Sequence, residues 1–261
     1  LGMDEMILRE SRDENITKYA ENARAAGMSL LNIISDILDF SKIEAGKMDI
    51  VPYEYELSST IHDLVNLIIH RAEERGLALK VEVDPAIPHV LFGDEVRVKQ
   101  IITNLLTNAV KYTEKGSVTF AVAFDRIEGS DEDILLKVSV DDTGIGIKKE
   151  DMGKLFSEFD RIEEKRNRNI EGTGLGMSIT QSLLGLMGSS LNVESEYGKG
   201  SVFSFEIVQK VLDWREIGDY ENTYKENVLK NSTYKEKFEA PDAEVLVVDD
   251  TPLNLTVFKS L

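Results

Sequence analysis

The chain has 261 residues, 42% of them apolar and 30% charged, a composition that fits one large folded domain or a middle-sized domain with attachments. Asp plus Glu is 48 against 30 Lys plus Arg, and the resulting net charge of −18 argues against a nucleic-acid backbone or an anionic membrane surface as partner. With no cysteine, disulfides, iron–sulfur clusters and thiol nucleophiles are excluded, and His62, His70 and His89 offer no zinc-binding spacing. No apolar run is long enough to cross a membrane, and no signal peptide is recognisable. Leu1 in place of an initiator Met, and an end inside a helical pattern, read as a fragment of a longer protein.

A helix is expected over residues 13–44, after a helical stub at 2–10. Ile16, Tyr19, Ala23, Ala26, Leu30, Ile33, Ile37 and Phe40 recur at alternating steps of three and four, the seam of paired helices. Ile34 and Leu38 widen the stripe, which favours a helical hairpin and a partner subunit over an ordinary helix lying on the next domain. Gly46 and Pro52 end this segment, and a domain then runs from 51 to 208.

Within that domain the pattern predicts helices at 58–75, 95–112, 148–160 and 176–187, and strands at 78–83, 117–124, 134–140, 191–195 and 201–207. Pro85 and Pro88 mark a turn. Helices gathered on one side of a mixed sheet give an α+β fold, a two-layer α/β sandwich, and not a doubly wound sheet. Residues 209–243 are charged and tyrosine-rich and read as a linker. From 244 to 261 a buried strand ending at Asp249 and Asp250, followed by a helix start, reads as the front edge of another domain.

Three segments of the middle domain carry chemistry. On the 95–112 helix, Gln100, Asn104, Asn108 and Lys111 share one side; this is either a solvated face or one whose two asparagines and lysine supply neutral oxygens and one cation suited to a Mg²⁺-triphosphate. Asp142-Thr-Gly144-Ile-Gly146 closes a strand. It is either a structural turn or a carboxylate able to accept from the exocyclic amine of adenine, with glycines that let backbone approach the base and ribose. Gly172-Thr173-Gly174-Leu175-Gly176 opens a helix, where amide donors and the helix dipole favour phosphate. Its glycine spacing and the basic stretch before it do not fit a dinucleotide fingerprint, and no P-loop motif occurs.

Taken in order, these motifs resemble the ATP-binding core of sensor histidine kinases of two-component systems, hybrid type, a fold shared with gyrase and Hsp90. The resemblance extends to Phe156-Ser-Glu-Phe159, to Gly198-Lys-Gly200-Ser-Val-Phe, to Leu38-Asp-Phe-Ser-Lys-Ile-Glu-Ala-Gly46 at the end of a dimerisation helix, and to Val247-Val-Asp249-Asp250 at the start of a receiver domain. It implies ATP and Mg²⁺ as ligands. Asn108 would hold Mg²⁺, Asn104 would support ion and phosphates, Lys111 would contact phosphate, and Tyr112 would border the nucleotide. Asp142 would read adenine beside Gly144 and Gly146. Phe156 and Phe159, packing side chains or hinges, would bound a lid containing Lys165, Arg166 and Arg168 that closes through Gly172, Thr173, Gly174, Leu175 and Gly176.

The resemblance further implies a homodimer through the helical hairpin of residues 1–46 and a receiver domain in cis, with a phosphotransfer or response-regulator protein beyond it. It implies no nucleic-acid or membrane contact, and a cytoplasmic location for this part of a protein that could be anchored upstream. The family's phosphoacceptor motif, Ser-His-Glu-x-x-Thr-Pro, is absent, so the acceptor is expected upstream of Leu1, with none of the three histidines in its place. The competing readings are a superfamily ATPase and a non-catalytic dimerisation module. The ATPases carry a glutamate base where this chain has Asn104, and an amide cannot take a proton from water.

Overall fold

The computed structural model describes residues 2–11, 13–156 and 174–220, together with the single residues 246 and 248. A division between Leu38 and Asp39 separates two units. The first carries helix α1 (Gly2–Glu10) and most of helix α2 (Glu14–Glu44), as the heptad spacing predicts. Asp13 opens α2, its carboxylate accepting from the amides of Asn15 and Ile16 at 2.8 and 3.2 Å.

The second unit is built on a seven-stranded mixed sheet with strands β1 (Tyr53–Glu56), β2 (Ala78–Val83), β3 (Pro88–Gly93), β4 (Ser117–Arg126), β5 (Asp133–Asp142), β6 (Asn192–Glu196) and β7 (Gly200–Glu216). The order is β1-β3-β7-β5-β4-β2, with β6 added to β7. Among the described residues only β2 and β4 pair in parallel. Period-two alternation turns Val118, Phe120 and Val122 of β4, and Ile134, Leu136, Val138 and Val140 of β5, toward one buried face.

Helices α3 (Leu57–Glu74), α4 (Glu95–Tyr112) and α5 (Gly176–Leu186) supply the other half of the core. Ile61, Leu64, Val65 and Ile68 recur at helical spacing on α3. Ile101, Ile102, Leu105 and Leu106 do so on α4, and Ile179, Leu183 and Leu184 on α5. The result is the expected two-layer α/β sandwich.

Four local readings are corrected. Strands β1 and β3 lie where no strand was expected. The Pro88 read as part of a turn is the first residue of β3, a position where proline's missing N–H is tolerated. Residues 209–216, read as linker, form the far half of β7, where Gln209 and Val211 continue the buried alternation. The helix expected at 148–160 is reduced to a 3₁₀ turn at Met152–Lys154 with Gly153 at its centre, a weak helix former; residues 157–160 lie outside the described set.

The end of α2 belongs to this second unit. Asp39 is 8% exposed, and its Oδ2 accepts from Gln100 Nε2 at 2.8 Å and from Arg97 Nη1 at 3.4 Å, while Arg97 also donates to Gln100 Oε1 at 2.8 Å. Phe40 and Ile43 pack on the core beside it. The carboxylate is therefore paired as a buried charge must be, and the last turn of α2 is fastened to α4.

Candidate functional site

Both ends of α4 are tightly specified. At its start the Asp94 carboxylate caps the Arg97 amide at 3.1 Å and takes the Val51 amide at 2.9 Å with its second oxygen. At its end all four otherwise orphaned carbonyls find donors. Thr113 Oγ1 donates to Ala109 O at 2.7 Å, Arg75 Nη1 donates to Val110 O and Lys111 O at 3.2 and 3.0 Å, and the Ile145 amide donates to Tyr112 O at 3.3 Å. The last of these bonds joins α4 to the segment that follows β5. Arg75 was not singled out in the sequence, because a single arginine after a helix carries no signal that it caps another.

That segment begins with Asp142, the final residue of β5 and 4% exposed. Oδ1 of Asp142 accepts from the Gly144 amide at 2.8 Å. Burial pushes the carboxyl up to about 6, the neighbouring Asp141 adding to the rise while the amides of Gly144 and Ser201 oppose it. A carboxylate held in this state is an avid acceptor for any donor that reaches it. Gly144 is required by the protein itself: a Cβ there would stand 2.5 Å from Tyr112 O and 2.7 Å from Asp142 Oδ1. Gly146, at φ +64°, packs against the backbone of Glu196. The glycines expected to admit a ligand thus also admit the chain's own backbone. Further bonds pin the loop, from the Gly198 amide to Ile145 O at 2.7 Å and from the Ile147 amide to Ser195 Oγ at 2.8 Å.

On the exposed side of α4 the predicted row separates. Gln100 is engaged with Asp39 and is not part of the site. Asn104 and Asn108 remain together, the Asn108 amide nitrogen lying 3.4 Å from Asn104 Oδ1. Lys111 Nζ stands 5.1 Å from the centre of the Tyr112 ring at the end of the same helix. Opposite the asparagines is the first turn of α5. Gly174 takes φ +75°, Leu175 is buried in the core so that only its backbone is available to a ligand, and Gly176 passes so close to Asn104 that a Cβ would strike Asn104 Oδ1. Met177 and Thr180, absent from the sequence-based site, contact the asparagines directly. A periodicity argument could have found them, since they follow Gly176 at one and four residues on a helix facing α4.

Phe156 packs against the core. Phe159, Arg166, Gly172 and Thr173, with Lys165, Arg168, Asp249 and Asp250, lie outside the described residues. Among the described residues no cluster of His, Asp and Glu is suited to a metal ion, and no helix is long and apolar enough to cross a membrane. His62 and His70 lie on α3 and His89 on β3, none of them on α1 or α2. The arrangement therefore brings together a buried acceptor at a strand end, a neutral amide pair, a lysine and a glycine-flanked helix N-terminus. These are the parts needed for a purine base, a hard cation and a phosphate chain.

Residues 93–211 match the family model described as histidine kinase-, DNA gyrase B-, and HSP90-like ATPase. The chain is 37% identical over 207 residues to hybrid signal transduction histidine kinase B of Dictyostelium discoideum, covering 79% of this chain and 10% of that protein. It is 35% identical over 207 residues to the signal transduction histidine-protein kinase BarA of Escherichia coli (strain K12), covering 79% of this chain and 22% of that one. Among solved structures it is similar to full-length ShkA in complex with AMPPNP, with a TM-score of 0.64 and 27% identity over 82% of this chain and 43% of the other. The chain thus spans well under a third of the length of either curated relative.

Proposed function

Because the chain belongs to the histidine-kinase branch of the histidine kinase-, DNA gyrase B-, and HSP90-like ATPases, we propose that residues 51–208 bind Mg²⁺-ATP and donate its γ-phosphoryl group to a histidine on a dimerisation helix. The observation that carries this reading is that α4 joins the three parts, its Asn104–Asn108 pair meeting the first turn of α5 and its last residue, Tyr112, bonded to the loop that follows Asp142. Asp142 would accept from the adenine amine, Asn104 and Asn108 would face the triphosphate with its ion, and Lys111 and the amides at the start of α5 would meet phosphate oxygens. Gly144 and Gly146 would border the base, Tyr112 the ribose side, and Phe156 the base of a lid that includes Phe159, Arg166, Gly172 and Thr173.

Two side-chain amides fit a hard cation, since they offer neutral oxygens that add no charge beside the triphosphate. Mg²⁺ bound there through Asn108 would supply charge neutralisation to the phosphoryl group in flight. In the transfer an imidazole nitrogen of the acceptor forms a bond to Pγ as the bond from Pγ to the β,γ-bridging oxygen breaks, and ADP leaves. The unprotonated ring nitrogen attacks with its own lone pair, so no proton has to be removed before the bond forms; the proton on the other ring nitrogen is released after transfer, and positioning and charge stabilisation largely meet the barrier. ATP hydrolysis does need a base. Asn104, bonded to Thr180 and Asn108, has no proton-accepting group to offer.

The α2 seam supports a second proposal. Ile16, Tyr19, Leu30, Ile33 and Ile37 are all exposed on one chain, and a second copy covering them would give a homodimer. Sedimentation across a concentration series is expected to show self-association, and a monomer at high micromolar concentration would count against it. Residues 1–46 would then be dimerisation helices, 209–243 would include the connection onward, and 244–261, with Asp249 and Asp250, would open a receiver domain that accepts the phosphoryl group from the histidine.

Titration of a fluorescent ATP analogue, with Mg²⁺ and with EDTA, tests the nucleotide reading. Saturable binding strengthened by Mg²⁺ is expected, and no binding under either condition would overturn it.

A further inference from the structure

The two ends of an asparagine amide are opposite in chemistry, and its neighbours decide which way each end faces. Around Asn104 and Asn108 those neighbours come from α5. Asn104 Nδ2 donates to Thr180 Oγ1 at 2.9 Å and lies 3.8 Å from Met177 Sδ. A hydroxyl can accept or donate, but the thioether sulfur beside it only accepts, so the two together hold the NH₂ end of Asn104 and turn its Oδ1 into the space left by the missing side chain of Gly176. Asn108 Nδ2 then donates to Asn104 Oδ1 at 3.4 Å and to Met177 Sδ at 3.4 Å. Neither Asn104 Oδ1 nor the thioether sulfur can donate, so both select the NH₂ end of Asn108. The carbonyl end of Asn108 is left to face the other way, and a carbonyl oxygen is the end that a hard cation requires.

We propose that Thr180 is a positioning residue for the metal-bound nucleotide: beside Met177 it anchors the NH₂ end of Asn104, and through Asn104 it fixes the orientation of Asn108, so that an oxygen and not an NH₂ group is presented to Mg²⁺. This rests on the reading of Asn108 as the Mg²⁺ ligand. Thr180 is 1% exposed and sits one helical turn into α5, so it acts entirely through Asn104 and touches neither ion nor phosphate. Without the Thr180 oxygen, only the longer 3.8 Å contact with Met177 Sδ distinguishes the two ends of Asn104. A flipped Asn104 would offer NH₂ to Asn108, which would answer with its carbonyl and turn its own NH₂ toward the cation. Met177, whose sulfur accepts from both amides, reinforces the same orientation.

The test compares Thr180→Val, which keeps the shape and removes the hydroxyl, with Thr180→Ser, which restores it. Each variant of the 261-residue chain is titrated with a fluorescent ATP analogue in Mg²⁺ and in EDTA, after a thermal melt to check folding. For Thr180→Val the affinity in EDTA is expected to stay within about twofold of wild type, while the gain from Mg²⁺ falls about tenfold or more, the usual size of an outer-shell effect on a metal. Thr180→Ser is expected to recover the gain. Should Thr180→Val not fold, Thr180→Ala provides the same comparison. An unchanged Mg²⁺ gain in the hydroxyl-free variant overturns the proposal, as does an equal loss in both conditions, which would assign Thr180 to packing alone. A wild type whose affinity is indifferent to Mg²⁺ would contradict the reading of Asn108 itself, and the positioning role would fall with it.

Discussion

Asp142→Asn is expected to weaken ATP binding by about 10-fold to 150-fold while leaving the fold at least as stable as wild type at pH 8. Loss of a desolvated, charge-assisted bond to the adenine amine costs roughly 1.5 to 3 kcal/mol, which gives that range in dissociation constant. The effect on stability has the opposite sign. Burial raises the Asp142 carboxyl from 3.8 to about 6 in the folded chain. Folding therefore favours the protonated form, and the stability that this contributes is complete below pH 3.8 and is lost as pH rises through about 6. At pH 8 the ionised side chain opposes folding by up to about 3 kcal/mol, a burden the neutral amide does not carry. The Asn oxygen can still accept from the amides of Gly144 and Ser201, which interact with the carboxylate in the wild type. Calorimetry with an ATP analogue and thermal melts at pH 5 and pH 8 would read both effects. A melting temperature that rises at pH 8 relative to wild type, and less so at pH 5, is the expected signature; a change in affinity below threefold would remove the adenine-reading role. Wild-type affinity itself should decline as the pH is lowered through about 6, because a protonated carboxyl is a weaker acceptor.

Asn108→Ala should have the larger effect on transfer. The side chain packs against Asn104 and Met177 at the exposed side of α4 and is only half-buried, so its removal leaves the core of α4 intact. Nucleotide affinity in EDTA is therefore expected to change little, whereas the gain from Mg²⁺ is lost. Transfer should fall about 100-fold or more, since several kcal/mol of charge stabilisation depend on the ion. Equal phosphoryl transfer by Asn108→Ala and wild type, measured under single-turnover conditions, would exclude Asn108 as the ion's ligand.

The helices were the legible part of this fold. Ile101, Leu105 and Ala109 mark the inward face of α4 by spacing alone, and the heptad seam of α2 is equally plain. What escaped were elements whose stabilising contacts are polar or distant in sequence. Strand β7 runs past Val208 through Gln209, a buried polar residue that breaks the apolar alternation and is held by the Tyr55 hydroxyl at 2.8 Å across 154 positions. Strand β3 hides behind a leading proline, and β1 is four residues long with one buried side chain. In the candidate site, Asn104, Asn108 and Asp142 stand out in the sequence by residue type and spacing, and the structure places the two asparagines side by side on α4 and Asp142 at the buried end of β5. The supporting residues do not stand out. Thr180 looks like any threonine on an amphipathic helix, and Arg75 reaches two carbonyls that only the fold brings near it. Gln100 lies on the same side of α4 and is engaged by Asp39, a partner that only the fold brings near it.

Phosphoryl transfer in trans tests the central claim most directly. The chain is incubated with Mg²⁺ and γ-³²P-labelled ATP, alone and with a separate dimerisation hairpin that carries the family's Ser-His-Glu-x-x-Thr-Pro acceptor motif. The expected result is acid-labile, base-stable label on the hairpin and none on the chain by itself, where His62, His70 and His89 lie on α3 and β3 and match no acceptor motif. Label on any of those three histidines, or steady phosphate release with no hairpin present, would contradict it.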